Sequence, residues 1–151
     1  DAQRKVLNIT PKTGMAILLD IGEENDIHPH NKQDVGKRLA LLALKRDYGF
    51  DLVDSGPLYS NHEVKNRYIE VDFDHIGSGL MVKDKLDGFE IAGHDGVFYP
   101  AIAQIKNNKV QLSSPNVKKP INVRYGWKNY FEASLFNKEG LPASSFSSSD
   151  K

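Results

Sequence analysis

From Phe50 onward the chain is written in short apolar–polar alternations broken every few residues by Gly, Asn, Asp or Pro, which excludes a helical bundle for most of its length. Ile69, Val71 and Phe73 alternate with Glu70, Asp72 and Asp74, the period of a strand with one buried face. Further strands are expected at 79–82, 88–92, 97–105, 109–113 and 121–125. Asn107-Asn108 and His94-Asp95-Gly96 serve as hairpin turns between them, because Asn, Asp and Gly tolerate positive φ. A set of about six or seven strands predicts an antiparallel β-sandwich or jelly roll over residues 51–144. The serine-rich end, 145–151, is low in complexity and is expected to be a flexible tail.

The first fifty residues follow another pattern. Asp1 to Leu7 are helix formers without a preceding cap, so the chain is expected to open on the last turns of a helix cut from something longer. After a Pro11-Lys12-Thr13-Gly14 turn, the run Met15-Ala16-Ile17-Leu18-Leu19-Asp20-Ile21 reads as a strand covered on both faces. A polar loop, 22–30, leads to Asn31, which can cap a helix over 32–48, with Asp34 at its positive end and Gly49 as its stop. Val35, Leu39, Leu42 and Arg46 form one stripe of that helix, and Leu41, Leu44 and Tyr48 a neighbouring one, a face wide enough to pack on a sheet. The expected fold class is therefore α/β for residues 1–50, the end of a layered domain, followed by antiparallel β. The 22–30 loop would lie where open α/β sheets place their ligands.

Charge and composition limit the partners. Twenty basic residues balance twenty acidic ones, so no net field draws the chain to nucleic acid or an anionic membrane, and a neutral ligand fits better. No apolar run approaches the roughly 18 residues of a membrane span. With no cysteine, disulfides, thiolate nucleophiles and cysteine-ligated zinc are excluded.

Chemistry concentrates in Asn25-Asp26-Ile27-His28-Pro29-His30-Asn31. A histidine base needs access to substrate and a second group that accepts the proton on its other ring nitrogen; Asp26, Asp20 and Glu24 are all near enough in sequence to be that acceptor. The same loop also reads as an ordinary polar connection, or as a metal site of Asp26, His28 and His30, since imidazole and carboxylate together suit zinc or iron. Alternate residues of a loop rarely converge on one ion, and no further ligand motif is present. His62, His75 and His94 stand singly in β or turn regions. No Gly-x-Ser-x-Gly elbow or phosphate loop occurs, and Ser55, Ser60, Ser78, Ser113 and Ser114 lack the strand-to-helix turn that activates a hydroxyl. Tyr125, Trp127, Tyr130, Phe131 and Phe136 could stack on a sugar or pack a core.

Asp20-Ile21-Gly22 and Asn25 through Ala40 resemble the last active-site block of the sialate O-acetylesterase family of SGNH (GDSL-like) hydrolases. The resemblance continues through Tyr48-Gly49, Ser55-Gly56-Pro57-Leu58-Tyr59, 73–79, 88–93, Val123-Arg124-Tyr125-Gly126-Trp127 and 137–144. It implies the C-terminal part of a flavodoxin-like SGNH hydrolase domain, followed by a β-sandwich accessory domain and a short tail. It also implies hydrolysis of O-acetyl esters of sialic acid or a related acetylated sugar through an acetyl-serine, without metal or organic cofactor. His28 matches the family's catalytic base. The family's usual Asp-x-x-His spacing puts Asn25 where the acid belongs, so Asp26 is the first choice for that role and Asp20 the second. The serine and oxyanion hole would come from an N-terminal catalytic portion of the same protein, and the resemblance implies a periplasmic or secreted location. The alternative is a carbohydrate-binding or structural β-sandwich module without activity.

Overall fold

The computed structural model describes residues 1–149. Two helices, α1 (Ala2–Ile9) and α2 (Lys32–Arg46), precede ten strands: β1 (Leu58–Lys65), β2 (Tyr68–Asp74), β3 (Leu80–Val82), β4 (Phe89–Ala92), β5 (Phe98–Pro100), β6 (Ile102–Lys106), β7 (Lys109–Ser113), β8 (Asn122–Tyr125), β9 (Leu135–Asn137) and β10 (Phe146–Ser147). All strand pairs are antiparallel. They form one sheet in the order β1-β2-β7-β6, a second in the order β10-β8-β4-β5, and a β3-β9 ribbon.

Alternation along β2 sends Ile69, Val71 and Phe73 inward, where they join Val110 and Leu112 of β7, Phe89 and Ile91 of β4, Val123 and Tyr125 of β8, and Phe146 of β10. One cluster draws on both four-stranded sheets, so the two sheets face each other across a shared core. Tyr125 is buried whole, and its hydroxyl oxygen accepts the N–H groups of Ser134 and Leu135 at 3.0 and 3.1 Å. Burial, opposed by those bonds, pushes the phenol above its ordinary value.

The α/β fragment expected over residues 1–50 is absent; the molecule is a small, mostly β domain with two helices. Residues 15–21, expected as a covered strand, pair with no strand. Their neighbourhood uses the backbone otherwise. Ile17 O accepts from Arg38 Nη1 at 2.5 Å, Thr13 O accepts from Arg46 Nη1, and Leu19 O accepts the Ala133 N–H at 3.1 Å. An apolar run in sequence says nothing of which donors take the carbonyls, so Arg38 of α2 stands where a ladder partner of Ile17 was expected. Nor does α2 lie on a sheet: Arg38 and Leu42 are its buried residues, and Leu39 is 53% exposed.

The serine-rich end also departs from expectation. Phe146 and Ser147 pair with Tyr125 and Arg124 as β10. Phe146 is fully buried, stacked on Tyr59 with ring centroids 4.4 Å apart and edge-on to Phe73 at 5.8 Å. A single aromatic that fills a gap between the sheets is enough to hold a low-complexity segment down. The last two residues of the expected tail, 150 and 151, lie outside the described residues.

Candidate active site

The loop from Gly22 to Asn31 is tied at both ends. Before it, Asp20 is gripped by Arg38 in a fork, Nη1 to Oδ1 and Nη2 to Oδ2, each 2.6 Å, with both side chains largely buried. After it, Asn31 caps α2 by accepting the Asp34 N–H at 3.1 Å, and its amide donates back to Asp34 at 2.8 Å.

Inside the loop, Glu23 and Asp26 form an isolated antiparallel bridge. Asp26 Oδ1 accepts the backbone N–H of His28 at 2.7 Å, and Glu23 Oε1 accepts the backbone N–H of His30 at 2.7 Å. The Glu23 oxygens also lie 3.0 and 3.2 Å from His30 Nδ1. The His30 backbone N–H, then its ring, hold the Glu23 carboxyl below the ordinary glutamate range, with Lys32 adding to this from farther off. An ionised carboxylate only accepts, so Nδ1 of His30 carries the proton and Nε2 is left facing out.

His28 and Asp26 are thus neighbours, in a relation different from an acid orienting an imidazole. Asp26 holds the His28 backbone, and among the described residues no hydrogen bond reaches the His28 ring. The ring is exposed, as access to a substrate requires. Asp20, the second choice for the acid, has both oxygens on Arg38. Sequence reasoning passed over Glu23 and Arg38. The signal for Glu23 is weak, an acid seven residues before a histidine across a turn. Arg38 gave none, since a cation inside a helix normally points to water.

The metal trio considered from sequence is not brought together. Among the described residues, Glu23, Asp26 and His30 are the groups whose ligand atoms fall within 4.8 Å of one another, and His28 is outside that set. Both carboxylates already hold the loop's own N–H groups. His62 bridges the Tyr59 hydroxyl at 2.7 Å and Ile121 O at 3.0 Å, a structural tie between β1 and the segment before β8. Ser55 is buried and donates to Gly56 O, and Ser78 donates to Glu139 at 2.5 Å. Of the aromatic segment, Tyr125 and Phe136 are core, while Trp127 and Tyr130 are each 40% exposed.

This arrangement of loop and paired sheets has a solved counterpart. The chain superposes on the crystal structure of a novel carbohydrate acetylesterase from Xanthomonas citri with a TM-score of 0.92, at 42% sequence identity and over 99% of its length. The likeness is to an esterase. It spans 35% of that longer chain, so about a third of the neighbour is represented here. No protein-family model and no curated protein matches the chain.

Proposed function

We propose that this chain is the base-carrying portion of a carbohydrate acetylesterase, in which His28 activates a serine supplied by another stretch of polypeptide. The observation that supports this most is the 42% identity to a carbohydrate acetylesterase across 99% of the chain. The exposed His28, on a loop tied at both ends, is consistent with it. In the proposed reaction His28 takes the serine proton as the hydroxyl attacks the acetyl carbonyl, and returns it to the departing sugar oxygen. It then activates water to release acetate from the acetyl-serine. Asp26 contributes by fixing the His28 backbone. The sequence resemblance makes O-acetylated sialic acid the first substrate to try, with other acetylated sugars beside it, and suggests work in the periplasm or outside the cell. Acetate release from these esters by the chain alone and by the chain joined to a serine-bearing portion tests the reading. Background rates alone and turnover when joined are expected; no turnover in either form on any acetylated sugar contradicts it.

A binding module is the second reading, favoured by Trp127, which is partly exposed and lines a surface cleft with Asp1, Gly126, Lys128 and Asn129. Trp127 is the only tryptophan, so saccharide stacking there shows directly as a change in its fluorescence.

A further inference from the structure

We infer that Glu23 is a positioning residue for His28, acting through His30 to close the loop that presents the base. This rests on the reading of His28 as the base and adds how that base is held.

The His28 backbone is restrained from both sides. On its N-terminal side, Asp26 Oδ1 takes its N–H at 2.7 Å. On its C-terminal side comes Pro29, whose ring fixes φ and whose Cδ keeps the preceding residue out of the helical region, so His28 and His30 are coupled through one stiff residue. His30 is in turn held at two points by one carboxylate, its N–H at 2.7 Å and its Nδ1 at 3.0 Å, both on Glu23 Oε1. The Glu23–Asp26 bridge then joins the residue that grips His30 to the residue that grips His28. The loop is therefore a closed ring of restraints with the His28 side chain projecting from it into solvent. A carboxylate in its charged form makes these bonds best, in keeping with the depressed titration of Glu23.

The arrangement also sets His30 against a carboxylate through Nδ1 with Nε2 outward, the pose of an acid-oriented base, which His28 lacks. Pro29 separates the two rings in sequence, and the resemblance that supports catalysis falls on His28. His30 is accordingly assigned to closure.

Two readouts test this. In the 151-residue chain, backbone amide exchange of His28 and His30 is followed by NMR in wild type, Glu23→Ala and Glu23→Gln. In the chain joined to the serine-bearing portion, kcat and KM on an aryl acetate are measured for the same variants, with His28→Ala and His30→Asn alongside. Glu23→Ala is expected to speed both amides and to lower kcat roughly tenfold to a hundredfold with KM little changed, because a small misplacement of a catalytic group is costly. Glu23→Gln, which keeps an acceptor, should restore much of both. Unchanged kcat in Glu23→Ala overturns the inference whether or not the amides loosen. So does activity that disappears in His30→Asn and survives in His28→Ala, a result that also removes His28 from the proposed mechanism. If His28→Ala abolishes turnover and Glu23→Ala leaves it intact, positioning alone fails and the base stands.

Discussion

Asp20 and Asp26 lie six residues apart, and the structure gives them different work. Asp20 neutralises a largely buried Arg38, whereas Asp26 sits half-exposed on the backbone of His28. Asp20→Asn should therefore destabilise the fold by about 3 kcal/mol, the cost of leaving a buried cation short of its partner, read as a lowered urea midpoint. Asp26→Asn should move the midpoint little and lower turnover of the assembled esterase. The reverse pattern would exchange their roles. Glu23 supplies a pH test with a definite sign. Its folded carboxyl titrates below the ordinary value of 4.5, so its contribution to loop closure is complete above that value and disappears as pH falls through the lower folded one. NMR should show the His30 amide protected at neutral pH and released in acid only below the ordinary glutamate range; release that begins above pH 4.5 contradicts the assignment. The loop was legible at this scale because Asn25 to Asn31 gathers imidazole, carboxylate and a cap in seven residues. The partner of each carboxylate was not, since a carboxylate two or seven residues from several donors gives no sign of which one it meets.

Elements differ in how far local chemistry decides them. β2 could be read from its alternation, and the β6–β7 hairpin from Asn107-Asn108, whose φ values of +53° and +57° are those a tight two-residue turn needs. The expected strand over 97–105 is instead two strands in different sheets, parted after Pro100, which has no N–H to continue a ladder; the Ala101 N–H turns to Phe89 O at 3.0 Å. The run over 15–21 misled because only Ile17 in it is buried, and the Ile17 carbonyl is taken by Arg38 of α2 in place of a neighbouring strand. β10 was invisible because two residues in a serine tract carry no period. Its weight rests on one side chain. Phe146 stacks on Tyr59 and touches the rings of Phe73, Phe89 and Tyr125, so Phe146→Ala should cost about 3 to 5 kcal/mol. A denaturant midpoint within error of wild type would show that β10 is not part of the cooperative core.

Across the whole molecule the two halves are unequally covered. The β region encloses a continuous core, while the first fifty residues leave Val6, Ile9, Leu18, Ile27, Leu39, Tyr48 and Phe50 well exposed. Ties from this half to the rest of the chain include Arg46 on Asp54 at 2.9 Å, the Ala133 N–H on Leu19 O, and Arg4 over the Tyr59 ring. The match to a solved acetylesterase spans 35% of that neighbour's length. The general character of this half, polar loop then capped helix, could be read from sequence; the absence of a sheet beneath it could not, because that depends on which segments pair in space. In the proposed mechanism His28 is the base of an acetylesterase. The most direct measurement is acetate release from an O-acetylated sugar by the chain joined to its serine-bearing portion, as wild type and as His28→Ala. The prediction is turnover in wild type and a loss of roughly a thousandfold or more in His28→Ala, since base and nucleophile act as a unit; undiminished acetate release by His28→Ala would contradict it.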